Sequence, residues 1–307
     1  MFKEKLLKRQ SGIITFGLTP PKQDNLTEKI AEIAERQKER IRCMDIDGLV
    51  IYDVQNETER TAAVRPFPYL PTIDGFTYGK EYLNDVDVPK IIYRCVGKYT
   101  PQMFEAWLTS DRSPENFTVL VGAASSKQPV ALRLTDAYQM ARSLNPNLVV
   151  GGVAIPERHF KQQDEHTRIL QKQANGCKFF ISQAVYNVEA AKNFLSDYYY
   201  DCQRQQIEMK PILFTLAPCG STKTLEFMKW LGVSIPRWLE NDLLHSTDIL
   251  GQSIHLAKET FAELLDFACA KGIPIGCNIE SISIRKVEIE VAVDLVGDIR
   301  KMIQKKK

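Results

Sequence analysis

Several common chemistries are missing from this chain. It has no C-x-x-C pair, no P-loop, no H-E-x-x-H and no G-x-S-x-G. Those absences exclude the usual zinc ribbon, phosphate cradle, zinc-peptidase helix and hydrolase elbow. Its four histidines include no pair at metal-ligand spacing, so no metal site is expected. No window approaches about 18 uninterrupted apolar residues, so no membrane span is expected. The opening "MFKEKLLKRQ" is too charged for a secretory signal and lacks its apolar core. The seven cysteines are odd in number and scattered. That points to reduced, mostly buried thiols and a cytoplasmic setting. A net charge of +2 over 307 residues gives no pull toward nucleic acid. The basic ends, with Lys3, Lys5, Lys8 and Arg9 at one and Lys305 at the other, read as solvated helix ends.

Short apolar runs rich in β-branched residues recur instead. They lie at 12–18, 48–54, 90–95, 117–124, 148–156, 178–186, 211–218 and 273–280. Continuous rather than alternating runs suit strands buried on both faces of a parallel sheet. Helical spacing appears between them, at 25–42, 100–108, 134–144, 165–175, 188–199, 223–231, 254–271 and 285–305. Eight strand–helix units predict an α/β fold, a single closed (β/α)8 TIM barrel over residues 1–307. An open doubly wound sheet is the alternative, but the first strand–helix turn has no G-x-G-x-x-G. Long connections at 55–89 and after the seventh strand are expected, the second carrying one or two extra helices.

Such barrels work at the C-terminal ends of their strands. There the chain places Gly17 and Thr19, Tyr52 and Asp53, Arg94 and Cys95, Gly122 and Ala123. Beyond them come Glu157, Arg158 and His159, then Gln183, Pro218 and Cys219, and finally Asn278 and Glu280. Three stand out. "PERH" sets an acid, a base and an imidazole after strand five, to orient a ligand or to form a local ion pair in a loop. Gln183 interrupts an apolar strand with a side-chain amide that both donates and accepts. It suits a flat heterocycle, or else caps a loop carbonyl. Asn278 and Glu280 share a face at the end of strand eight if the strand runs that far. Gly17 is the opposite case, a missing side chain at the end of a strand, where glycine often marks a close approach.

"PERH", "GCKFFISQAVYN" and "PILFTLAPCGSTKTLEFMKWLGVSIPRWL" together resemble the methylenetetrahydrofolate reductase family. "TFGLTPP" and "ETERT" resemble its first half more loosely. The resemblance implies a barrel with FAD at the mouth, a tetrahydrofolate derivative as substrate, NAD(P)H as electron source and hydride transfer to the methylene carbon. It implies Gln183 on the pterin and His159 beside the flavin, with Glu157 of the same motif on that cofactor side; Asn278, at the end of strand eight, is a further candidate for holding the substrate. Lys172 and Glu165 would lie near the flavin's ribityl and phosphate groups. Arg133, with Thr135 and Asp136, would complete that cofactor side.

The same resemblance shows departures. The family's catalytic glutamate falls on Gly17. Its flavin-side Asp and Arg fall on Ala123 and Val121, and a strand-three histidine on Ile92. Neither glycine nor alanine transfers a proton. In a closed barrel strand eight neighbours strand one, so Glu280 is expected to bring a substitute acid into the space Gly17 vacates. Alternatives are a folate-dependent methyl or methylene transferase without flavin, and a non-catalytic folate-binding subunit that needs a partner. A homo-oligomer is a further expectation.

Overall fold

The computed structural model describes residues 1–57, 61–110, 116–123 and 129–306. Eight parallel strands pair in chain order and close on themselves. They are β1 (Ile14–Leu18), β2 (Gly48–Ile51), β3 (Lys90–Cys95), β4 (Phe117–Val121), β5 (Val149–Ala154), β6 (Phe179–Ala184), β7 (Ile212–Leu216) and β8 (Ile275–Glu280). The helices are α1 (Phe2–Leu7), α2 (Thr27–Arg42), α3 (Gly75–Glu81), α4 (Pro101–Ser110), α5 (Leu134–Leu144) and α6 (Pro156–Gln162). They continue with α7 (Glu165–Ala174), α8 (Val188–Gln205), α9 (Thr222–Trp230), α10 (Arg237–His245), α11 (Ile249–Lys271) and α12 (Lys286–Gln304). This is the (β/α)8 barrel expected from the run pattern. The extra helices after β7 are α9 and α10.

Local sequence sets the helix starts. Asp74, Asn187, Ser221 and Asp248 each accept a backbone N–H three residues on, opening α3, α8, α9 and α11. Such caps satisfy donors the helix cannot.

Alternation along the strands separates two cores. Ile14, Phe16 and Leu18 of β1 face the helices, as do Leu49 and Ile51 of β2. The other parity, with Ile13, Val50, Ile91, Phe117, Val119, Phe179, Ile181 and Leu213, packs inside the barrel. Phe2 and Leu6 join that inner cluster. The Phe2 ring lies 4.8 Å from Phe117, at the start of β4, so α1 plugs the N-terminal end.

The basic N-terminus is therefore not simply solvated, because two apolar side chains of one short helix have no better place to go. Lys5 pairs with Asp47, whose other oxygen accepts the Ile14 N–H at 2.8 Å. All seven cysteines are free, and five are buried. No helix among the described residues is long and apolar enough to cross a membrane.

Closure of the barrel rests on β1 against β8. The Ile13 carbonyl accepts Cys277 N–H at 2.8 Å. A Cβ on Gly276 would stand 2.4 Å from that same oxygen, which is backbone and cannot rotate away. Gly276→Ala is expected to lose about 1–3 kcal/mol or more, the usual cost of overpacking. Urea unfolding checks it, and an unchanged midpoint would contradict the β1–β8 register.

Candidate functional site

The C-terminal end of the interior is polar where the lower layers are apolar. In the β1–β8 register Gly17 stands beside Glu280. The space over Gly17 is taken by Tyr52, which follows β2. A Cβ at position 17 would lie 2.7 Å from the Tyr52 ring and 2.9 Å from its hydroxyl. This corrects the expectation that Glu280 itself fills the gap. A neutral ring enters the tight interior more cheaply than a charged group. The Tyr52 hydroxyl instead faces the Glu280 carboxyl and lowers its pKa in the sense of a hydrogen-bond donor.

The direction of that bond follows from its neighbours. The β6–β7 register slips between Ile181 and Ala184. At the slip the Ser182 hydroxyl accepts the Thr215 N–H at 2.9 Å, and the Thr215 hydroxyl donates to the Ser182 carbonyl at 2.6 Å. Having spent its proton there, Thr215 Oγ1 only accepts. Its second contact, Asn278 at 3.1 Å, must then be the amide NH2. Asn278 Oδ1 consequently faces Thr15, which donates at 2.9 Å. The other amide hydrogen goes to the Tyr52 hydroxyl at 3.0 Å. Tyr52 therefore gives its own proton to Glu280. All of Thr15, Thr215 and Asn278 are buried to within about 1% of full enclosure.

Burial pushes the Glu280 carboxyl up to about 7, against a smaller downward pull from the Tyr52 hydrogen bond. The Tyr52 and Tyr93 hydroxyls rise well above the ordinary phenol range, first by burial and then by the Glu280 charge. The two rings meet edge to face at 4.8 Å. The result is a carboxyl that holds or releases a proton near neutrality, flanked by two phenols that do not ionise there.

Gln183 sits at the same β6 irregularity, as bulges near active sites often aim a side chain. Its Nε2 donates to the Leu231 carbonyl at 2.8 Å, just past α9. Its Oε1 is buried without a partner among the described residues. An orphaned acceptor of that kind costs free energy unless a ligand donor fills it. Helix α9 also carries Phe227 and Trp230, with the Arg65 guanidinium 5.1 and 5.2 Å from their ring centres. The Trp230 indole donates to the Ala63 carbonyl at 3.0 Å, tying the segment after β2 over this side. A groove of about 270 Å³ between α3 and α4, lined by Lys80, Lys90 and Trp107 among others, contains none of these residues.

The residues assigned to a flavin lie elsewhere. "PERH" is the start of α6, not a loop, and both Glu157 and His159 are buried. His159 Nε2 lies 3.0 Å from Asp197 on α8. Glu165 is fully buried, accepting the Ile155 N–H at 2.9 Å and pairing with Arg158 at 2.8 Å. Lys172 donates to the Val153 carbonyl. Arg133 is exposed and pairs with the half-buried Asp136 at 2.9 Å. Glu157 has no hydrogen-bond partner from another described residue, and burial pushes it up to about 8. Most of this set is thus engaged within the protein. The described residues do not fit a flavin cradle, and no flavin chemistry is assigned to them. The segment 124–128, next to Ala123, lies outside the described residues. So does most of "ETERT".

The comparisons with known proteins bear on these side chains. The family model for methylenetetrahydrofolate reductase matches residues 123–274. A solved structure of an uncharacterized protein from Clostridium thermocellum is 56% identical, over 98% of this chain and 100% of that one, with a TM-score of 0.89. The chain belongs to the methylenetetrahydrofolate reductase family. The Clostridium thermocellum protein is described as binding two copies of 5-methyl-5,6,7,8-tetrahydrofolic acid. Structures of a 2,3-dimethylmalate lyase (12% identical, 99% and 96% covered, TM-score 0.44) and an oxaloacetate acetylhydrolase (11%, 87% and 96%, 0.42) match too weakly to carry meaning. No curated protein sequence matches the chain significantly.

Of the residues singled out from sequence, the structure brings together Gly17, Asn278 and Glu280, with Gln183 on the same side. It separates them from the Arg133–Asp136 pair and from His159, Glu165 and Lys172, which pack into the helical layer. Sequence reasoning gave Tyr52 a place on the rim but no role, and missed Tyr93, Thr15, Thr215 and Arg65. The one signal was Gly17 itself, since a bare strand position implies a bulky neighbour.

Glu280 keeps its proton in the folded chain to about pH 7, while the unfolded chain releases it near 4.5. Between those values the folded state binds more protons, so stability falls as pH rises, and the term is flat above about 7. Glu157 adds a term of the same sign, up to about 8. Glu280→Gln should therefore lose less stability than wild type between pH 4.5 and 7 in urea unfolding. Equal losses in both proteins would contradict the raised carboxyl.

Proposed function

We propose that the chain binds a reduced one-carbon folate at the C-terminal mouth and acts as a reductase on its methylene group, with Glu280 as the acid. The observation that carries this is the Glu280 carboxyl beside Gly17, held by a directed chain of hydrogen bonds and protonated up to about neutrality. The folate binding of the 56% identical relative supports the substrate class.

In 5,10-methylenetetrahydrofolate the methylene carbon bridges two nitrogens. A proton on one nitrogen weakens its bond to that carbon, and the ring opens to a methylene iminium on the other. Hydride addition to the iminium carbon then gives the methyl group. Glu280 supplies the proton, and the Tyr52 hydroxyl donates to the carboxylate left behind. Gln183 Oε1 accepts an N–H of the pterin, whose edge presents several. Asn278 acts through Tyr52 and touches no ligand, since both its amide hydrogens and its oxygen are already engaged. The hydride comes from a reduced nicotinamide in this reading.

A second reading, transfer of the one-carbon group to another acceptor, is favoured by the internal engagement of His159, Glu165 and Lys172. One assay separates the two. NADH and NADPH oxidation is followed with 5,10-methylenetetrahydrofolate, with and without FAD. Oxidation matched by methyltetrahydrofolate supports the reductase. Tight methyltetrahydrofolate binding with no oxidation in any combination supports transfer.

Two variants test the acid. Glu280→Gln should cut turnover by about 100-fold or more, the usual contribution of general acid catalysis, while methyltetrahydrofolate binding persists. Full activity in this variant would remove Glu280 from the mechanism. Tyr52→Phe keeps the ring over Gly17 but deletes the donor to the carboxylate. Losing that bond raises the Glu280 pKa, so the fall in rate with rising pH should move to higher pH. An unmoved pH profile would show that the two side chains are not coupled.

A further inference from the structure

Away from the barrel mouth, α6, α7 and α8 bring two histidines and a carboxylate together. A ring nitrogen of His159, a ring nitrogen of His166 and a carboxylate oxygen of Asp197 all lie within 4.8 Å of one another. The linear spacing hides this. A left-handed residue, Gln163 at φ 52°, ends α6, so α7 folds back and sets the two rings edge to face at 5.2 Å. Asp197 arrives from the next strand–helix unit.

Each ring already uses one nitrogen. His159 Nε2 is 3.0 Å from Asp197, and His166 Nε2 is 3.3 Å from Asp201 one turn further along α8. The Nδ1 atoms of both rings are buried and partnerless among the described residues. No protonation state repairs that. With Nε2–H donating to a carboxylate, Nδ1 is a bare lone pair. With both nitrogens protonated, Nδ1–H is an orphaned buried donor. What completes two neutral imidazoles beside carboxylates is an electrophile of borderline softness.

We infer that His159, His166 and Asp197 form a binding site for one divalent transition-metal ion of the zinc class, in which the ion takes the place of the proton between His159 Nε2 and Asp197, and His166 ligates through Nδ1 with Asp201 orienting it from Nε2. Three ligands with imidazole and carboxylate donors are a known zinc set. A carboxylate behind a ligating histidine is the usual means of fixing its tautomer and orientation. Bonds of about 2.0–2.2 Å bring tetrahedral ligand atoms to roughly 3.3–3.5 Å apart. Side-chain rotation closes the remaining gap, because the Asp197 side chain is 52% exposed. That exposure also provides the entry path and an open fourth position. The His159 side chain is only 3% exposed, with Phe194 at 6.1 Å on one side, so the inner wall is dry. The ion would pin α6, which follows β5 at the mouth, to α8.

The test uses the full chain, stripped with a chelator, titrated with zinc chloride by calorimetry at neutral pH. One ion per chain and a rise in melting temperature are expected. His166→Ala should weaken binding by roughly 100-fold and Asp201→Asn by about 10-fold, in line with lost ligands and outer partners. Should His166→Ala fail to fold, cobalt(II) bound to wild type still decides. A four- or five-coordinate visible spectrum supports the site, and a spectrum matching aqueous cobalt overturns it. The exposed His255–Glu259 pair, at 3.2 Å, is the control. Absence of binding, or binding that survives His166→Ala and vanishes with His255→Ala, would also overturn the proposal.

Discussion

One hydroxyl proton decides the chemistry of the mouth. The slip between β6 and β7 leaves the Ser182 carbonyl facing Thr215 Oγ1, and Thr215 must donate to it. From that choice every later bond acquires a direction, through Asn278 to Tyr52 and so to Glu280. A buried network gains by being fully satisfied and loses heavily if one member is left unpaired. The carboxyl at its end is consequently held in one place and supplied with one donor. The same irregularity aims Gln183, so the proposed pterin contact and the proposed proton donor share one backbone feature.

Gly17 belongs to this arrangement as a volume constraint. Family resemblance sets a carboxylate at position 17, and there is no room here for even a methyl group, because the Tyr52 ring lies 2.7 Å from where a Cβ would sit. Position 17 and Tyr52 therefore form one choice. A side chain on β1 and a tyrosine after β2 exclude each other, and the nearest carboxyl stands on the neighbouring strand, where the parallel register puts Glu280 beside Gly17. The interior around it divides cleanly. Apolar layers and the α1 plug fill the N-terminal end, and polar groups cluster at the C-terminal end, where the barrel opens.

The barrel is legible because continuous β-branched runs, spaced by helical periodicity, admit few other topologies. Adjacency of β1 and β8 follows from closure alone, whereas the pairing of Gly17 with Glu280 depends on a strand register that closure does not fix. Other features are not legible for physical reasons. Phe2 and Leu6 lie in a short, highly charged segment whose burial depends on a cavity that only the closed barrel creates. Tyr52 ends an apolar run, and nothing local says whether its ring turns inward. His159, His166 and Asp197 meet through helix packing, which spacing rules within one helix do not capture. In the sequence the "PERH" side chains look like rim groups, yet their helix turns Glu157 and His159 into the layer between barrel and helices.

Proton-linked binding of 5-methyltetrahydrofolate is the most direct measurement of the central claim, that Glu280 is the acid facing the folate. Its affinity should be measured by calorimetry across the range from about pH 5 to 9 in wild type and in Glu280→Gln. The account predicts a transition near pH 7 in the wild type, with proton exchange on binding, and its loss in the variant. Identical profiles in the two proteins would contradict it.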